Sequence, residues 1–393
     1  MGESMSKFFW GVVFGVMVLA LAGQTAFAAI TLYEADQTSF SVDGSFNTFY
    51  VHSDSDKNAA MEAILATDDR EQSRIKMGFL PNWIGFNFSK QIGDLKLGGR
   101  SSFWVTINDS DNNVTESGID TRQFYGTIDG DWGQVLIGKD FTIFNRSNIF
   151  LDEILLGYGN VSDTMGLIDG NGVSFGNIGS GYTYPFPSAQ ITYRTPEMAG
   201  FKLTVAVVDP SRTAPGGEEH APRFEGELTY NYAFKQGSVI AWAGFLSQSS
   251  ENADYDVDTQ GVSYGVRASF AGLSVHASGF NASGLGFELG AGVDTTLSLP
   301  VIDANGDELD SDGYLLQGSY TFGKFRLVAS YGESQLDGDV GVEDWENETK
   351  TAAAFYTVNE SLKLVGEYNI NEISIGSAEE ETKTIALGAI VSF

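Results

Sequence analysis

The residues of this chain that could do chemistry are charged, and their spacing says more than their number. Arg74 and Lys76 stand two apart, as do Arg223, Glu225 and Glu227, each set interleaved with apolar residues. On an extended segment such residues point to one face and their neighbours to the other. The same alternation puts Lys96, Arg100, Arg122, Arg194, Lys202, Arg267, Arg326, Lys363 and Lys383 on a polar face, more than half of the 22 basic residues. Charges repeated along a strand face are too costly for a packed core unless each is paired. They suit a wall wetted by water, where fixed charge sorts solutes by sign and size. A second set, Asp140, Asp152 and Glu153, falls in a long segment without clear strands, 140–188.

Other chemistries find little support. Nucleophilic catalysis needs a hydroxyl or thiol beside a base, and His52, His220 and His276 stand in no such pattern. The absence of cysteine removes thiol chemistry and thiolate metal sites. Asp303-Ala304-Asn305-Gly306-Asp307 imitates the start of a calcium loop. Glu308, however, stands where the turn needs glycine, and Tyr314 where the closing glutamate belongs. A solvated acidic loop is expected there, and no cofactor.

The elements that position these charges follow from composition and period. Of 393 residues, 52 are Asp or Glu, and the formal net charge is −30. That excludes a general nucleic-acid binder, which needs clustered cations. Gly is 47 and Pro only 8, with 28 Phe and 16 Tyr, a profile of β-sheet. Residues 1–28 read as a cleaved secretory signal, with Lys7, an apolar run and Ala26-Phe27-Ala28 before the cut. Residues 29–393 then form one domain. Mean hydropathy is −0.08, and after residue 29 no uninterrupted apolar stretch could form a membrane helix.

Period-2 alternation predicts sixteen strands, from 45–53 to 382–393. Phe224, Leu228, Tyr230, Tyr232 and Phe234 oppose Arg223, Glu225, Glu227, Thr229 and Asn231. Val262, Tyr264, Val266 and Phe270 oppose Ser263, Arg267 and Ser269. The connections alternate strictly between short turns and long segments, and the long ones hold most of the acids. Seven short turns and eight long loops on an even strand number make a transmembrane antiparallel β-barrel with both ends on the short-turn side. The last strand carries Ile385, Leu387, Ala389, Val391 and Phe393 on one face. It suits pairing with the first strand, which removes both sheet edges. Segment 140–188 is too apolar for a solvated loop (Phe141, Ile143, Phe144, Ile149, Phe150, Leu151, Ile154, Leu155, Leu156), so it is expected to fold into the barrel.

Arg122-Gln-Phe-Tyr-Gly-Thr-Ile128, then Asp131-Trp-Gly-Gln-Val-Leu-Ile-Gly-Lys139, resembles the fourth strand, turn and fifth strand of Gram-negative general diffusion porins. Ile191-Thr-Tyr-Arg-Thr-Pro196 with Ala199-Gly-Phe201 resembles their sixth strand and turn. The resemblance implies an outer-membrane homotrimer of 16-stranded barrels with an inward-folded third loop, passing small hydrophilic solutes and ions. It implies a constriction between a basic wall, Arg74, Lys76, Arg100, Arg122 and Arg194, and the acids Asp140, Asp152 and Glu153. Lys139 departs from the family's usual Arg, and Leu156-Gly-Tyr-Gly159 only faintly echoes its loop turn. The acid excess predicts cation preference, and acidic loops could bridge through divalent cations to lipopolysaccharide. The competing reading is a substrate-selective channel, such as one for sugars.

Overall fold

The computed structural model describes residues 29–108, 119–168, 174–210, 218–253, 256–286 and 299–393. The predicted signal 1–28 lies outside them. Among the described residues, eighteen strands make one antiparallel sheet. They are β1 Ile30–Ala35, β2 Thr38–Lys57, β3 Arg70–Lys76, β4 Asn82–Ile92, β5 Leu95–Val105 and β6 Asp120–Gly130. Next come β7 Gly133–Phe141, β8 Pro187–Arg194, β9 Phe201–Val208, β10 Arg223–Phe234, β11 Gly237–Glu251 and β12 Asp256–Phe270. Last are β13 Leu273–Ser283, β14 Asp310–Phe322, β15 Phe325–Leu336, β16 Trp345–Asn359, β17 Leu362–Ile375 and β18 Ala378–Ser392.

These reduce to sixteen staves. β3 pairs with the second half of β2 and β4 with the first half, so the two are one stave broken at 77–81. β1 pairs only with the start of β2, through a hairpin whose turn residues Asp36 and Gln37 both have positive φ. That hairpin is not anticipated from sequence, because its turn lacks the glycine that usually marks one. The remaining sheet closes where β18 pairs with β2, from Lys57↔Glu380 to Ser45↔Ser392. Phe393 extends the ladder by exchanging two backbone hydrogen bonds with Gly44, at 2.9 and 3.1 Å. The expected pairing of last strand with first is therefore present.

The outer face carries the apolar alternates, among them Phe224, Leu228, Val262, Val266, Leu316, Leu327, Leu364 and Leu387, all exposed. Near the short turns it ends in paired rings: Phe234 with Phe270, Phe322 with Phe325, Phe325 with Tyr356, and Phe46 with Phe393. Such an apolar band with an aromatic girdle fits a barrel facing lipid.

Strands run longer at the long-loop end than the alternation predicts. The expected loop 370–381 shrinks to a two-residue turn at Gly376 and Ser377. There both faces are polar, as with Asn371 against Glu372, so the period fades while backbone pairing continues. Lys383 is a correction. It shares parity with Ile385 and lies outside, beside Glu381 and Asp56. Helix α1, Ala59–Leu65, caps the first long connection, its Asn58 side chain accepting from Met61 N. Helix α2, Arg146–Phe150, opens the inward loop.

Candidate functional site

Residues 142–186, as far as they are described, lie inside the barrel, their root packed on β9 to β13 and the rest on β14 round to β3. Ile154, Leu155, Tyr158, Val161, Leu167 and Tyr182 join Phe49, Val51, Leu315, Val328, Phe355 and Val365 of the wall in the largest apolar cluster. A loop has few internal hydrogen bonds, so burial leaves its N–H groups needing acceptors. Wall glutamates supply them. Glu225 accepts from Ile143 N and Phe144 N, the latter at 2.8 Å. Glu367 accepts from Tyr158 N and Gly159 N at 2.9 and 2.7 Å. Glu380 accepts from Asp163 N and Thr164 N at 2.7 and 2.8 Å. Gly157 is required at this clamp, since a Cβ there would stand 2.1 Å from a Glu367 oxygen. The Leu156–Gly159 turn is thus the clamped tip of the loop.

The loop's own acids are spent in the same packing. Asp152 is fully buried and accepts from Gln317, Ile154 N, Asn177 and Tyr182 at 2.7 to 2.9 Å. Glu153 is buried between two strand arginines, 2.7 Å from Arg267 and in close contact with Arg326. It also accepts from Ser274 and Ser319. These two acids therefore do not stand across an opening from Arg74, Arg100, Arg122 and Arg194, as expected. Asp152 turns into the loop itself, and Glu153 is joined directly to a different pair of arginines.

Beside the loop root the lumen keeps an opening. A cavity of about 470 Å³ runs between the loop root and the wall of β6 to β11. Arg146, Arg194, Lys202, Asp140, Glu227 and Tyr125 are among its lining. Asp140 sits 3.3 Å from Arg146 and 3.7 Å from Arg194, and Gln123 donates to it at 2.9 Å. Glu227 accepts from Ser147 at 2.8 Å. Lys202 has no carboxylate at ion-pair distance among the described residues.

Of the sequence-predicted set, Arg194 and Asp140 alone line this cavity together. Arg100 lies on the same side of the barrel but is held by Asp43 at 2.6 and 3.0 Å and by Asn87 and Gln123. Arg122 lies over the Trp104 ring, 5.0 Å from its centre, and bonds Asp120 and the Tyr184 hydroxyl. Lys76 is buried beneath the loop and donates to Leu167 O at 2.7 Å. Arg74 faces inward from β3 on the packed side. Sequence reasoning missed Arg146, whose segment has no period to read. It placed Lys202, Arg267, Arg326, Glu225 and Glu227 on the inner face by parity but assigned them no part in the constriction.

The three histidines lie apart. His276 is buried under the loop, bonded to Leu151 O and Ser278; His52 faces outward beside Ser73 and Glu71; His220 meets Glu251 in a long loop. Asp303 uses one oxygen to cap its own turn through Asn305 N and Asp307 N.

Known proteins place this geometry. The model of a Gram-negative porin family matches residues 15–374. An anion-selective porin from Comamonas acidovorans superposes with a TM-score of 0.66 at 15% identity, covering 91% of this chain and 100% of that one. The outer membrane channel DcaP of Acinetobacter baumannii gives 0.65 at 18%, covering 93% and 100%. Salmonella typhi OmpF, solved in complex with daunomycin, gives 0.57 at 13%, covering 91% and 100%. No curated protein matched the sequence. With a family match over most of its length and a closed sixteen-stave barrel filled in part by its own loop, the chain belongs to the Gram-negative porins and is a channel of the outer membrane.

Proposed function

We propose that this porin is a general diffusion channel for small hydrophilic solutes and ions, not a substrate-selective or enzymatic barrel. The observation that carries this is the opening beside the loop root. The passage there is lined by charges of both signs, with Tyr125 and Phe150 as the aromatic residues of its lining, while the rings of Trp83, Trp104, Phe141 and Tyr184 pack on one another beside it. Arg194 and Asp140 remain constriction residues in this reading, joined by Arg146, Lys202 and Glu227. Residues 1–28 serve as the export signal. The channel works as a homotrimer, an assembly in which the similarly folded OmpT of Vibrio cholerae has been solved.

Acids at the long-loop rim give the channel a cation preference. The fold does not set this sign, since a porin of the same fold is described as anion-selective. Outward rim acids such as Asp310, Asp312 and Glu379 would meet lipopolysaccharide phosphates through divalent cations. Planar-bilayer recording tests the reading: conductance steps with a reversal potential favouring K⁺ are expected in a KCl gradient. Absence of conductance would overturn the channel, and Cl⁻ preference in both gradient directions would overturn the sign. An SDS-resistant band that collapses on boiling would report the trimer.

A further inference from the structure

We propose that the short-turn end of the lumen holds a binding site for a small oxyanion, separate from the cavity that Asp140 and Arg194 line. The site is a second cavity, of about 270 Å³, beneath Glu153 of the loop. Gln236, Ala271 and Gly272 in its lining belong to the turns between β10 and β11 and between β12 and β13, which places it at the periplasmic end of the barrel. Two arginines and one carboxylate set its charge. Arg267 and Arg326 project from β12 and β15, and Glu153 is buried between them. Asp152, the neighbouring acid, is turned into the loop by Asn177 and Tyr182 and is not part of the lining. The lining therefore carries one positive charge in excess.

The carboxylate is saturated and the guanidiniums are not. One Glu153 oxygen takes Arg267 and Ser274, and the other takes Arg326 and Ser319. A guanidinium has more N–H donors than these contacts use. Arg267 spends Nε on Ser274 and Nη2 on Glu153, and its Nη1 has no acceptor among the described residues. Arg326 spends Nη2 on the carboxylate and backbone oxygen of Glu153, and its Nε and Nη1 have none. The two side chains are 12% and 22% exposed, so solvent in the cavity reaches them. Hydroxyls complete the lining. Ser269, Ser274 and Ser319 stand opposite one another across β12, β13 and β14, and Thr321 stands opposite Arg326. A hydroxyl can donate to an anion, and a guanidinium fork matches two oxygens of one group. That selects phosphate or a carboxylate over chloride, which offers the fork a single point of charge.

Titration calorimetry of the detergent-purified porin tests the site. Inorganic phosphate, added at constant ionic strength in sodium chloride, should bind saturably at one site per chain. Acetate is the second arm: tighter phosphate binding assigns the site to phosphate, and tighter acetate binding assigns it to carboxylate solutes. Arg267→Lys keeps the charge but loses the fork, and should weaken the binding about tenfold, the size of one charge-assisted hydrogen bond. Thr321→Asp sets a carboxylate opposite Arg326 and supplies the counter-charge from the chain itself. It should abolish the binding and raise the thermal midpoint measured in chloride, a gain that a damaged barrel would not show. No saturable binding of either anion to the wild type, or binding of undiminished strength in Thr321→Asp, would overturn the proposal. Neither result bears on conductance, so the diffusion-channel reading is tested apart from it.

Discussion

Glu367 and Asp140 are both inward-facing carboxylates, and they sit in unlike surroundings. Glu367, on β17, is covered by the loop and meets two backbone N–H groups. Asp140, at the end of β7, lies between two guanidinium groups that line an open cavity. The first arrangement satisfies amides that folding would strand; the second sets a field that a passing ion feels. The same contrast divides the lumen. From β12 round to β3 the wall is a bed for the loop, and from β6 to β11 it carries the loop root on one part and the open cavity on the rest. A charged residue on the inner face of a barrel is thus no guide to permeation until the loop's position is known.

The clamp side should be the more sensitive to substitution. Glu367→Leu leaves the Tyr158 and Gly159 amides buried without acceptors, about 1–3 kcal/mol each. A freed loop tip should replace one steady conductance level by flickering among several. A steady single level would show that this carboxylate does not hold the loop. Next in size is Glu153→Gln, which leaves Arg267 and Arg326 facing each other without a counter-charge; breaking such a buried pair costs about 3–5 kcal/mol. Thermal unfolding in detergent should register it, and a loss below about 1 kcal/mol would mean both guanidiniums are already hydrated.

On the open side Arg194→Gln should leave the melting midpoint nearly unchanged, within about 0.5 kcal/mol, as a substitution outside the packed core. Its effect belongs in the reversal potential, which should move toward K⁺. Comparable destabilisation by Arg194→Gln and Glu367→Leu would erase the division between the two sides. The smallest expected effect is one of pH at the rim. Burial, then the neighbouring Glu333, Glu348 and Glu372 carboxylates, push the Glu346 carboxyl above the ordinary glutamate range. As pH falls it takes up a proton earlier than an unperturbed glutamate, near pH 4.3, would. The wild type should therefore begin to lose K⁺ preference at slightly higher pH than Glu346→Gln, in reversal potentials measured from pH 7 to 4.

The barrel was legible from sequence because two constraints act on every residue of a stave: lipid on one side, water or loop on the other. That is why Phe224 to Phe234 and Val262 to Phe270 could be assigned to a face from alternation alone. Where lipid ends the constraint lapses, and the outer ends of β17 and β18 read as a loop. The constriction was less legible, because loop packing obeys no period. Asp152 and Glu153 are adjacent and alike, yet one turns into the loop and the other reaches two strand arginines. Only the path of 142–186 decides between them.

The seam between β18 and β2 bears on how the chain reaches this state. It joins Ser45 to Ser392, so nearly the whole sequence must be made before the closing ladder can form. Contacts that distant close slowly. Until then β2 and β18 are open edges, whose unpaired N–H and C=O groups cost several kcal/mol each in hydrocarbon. Membrane entry and closure are therefore coupled: a sheet lacking its last strand has no stable place in the bilayer, and the seam acts as the checkpoint for insertion.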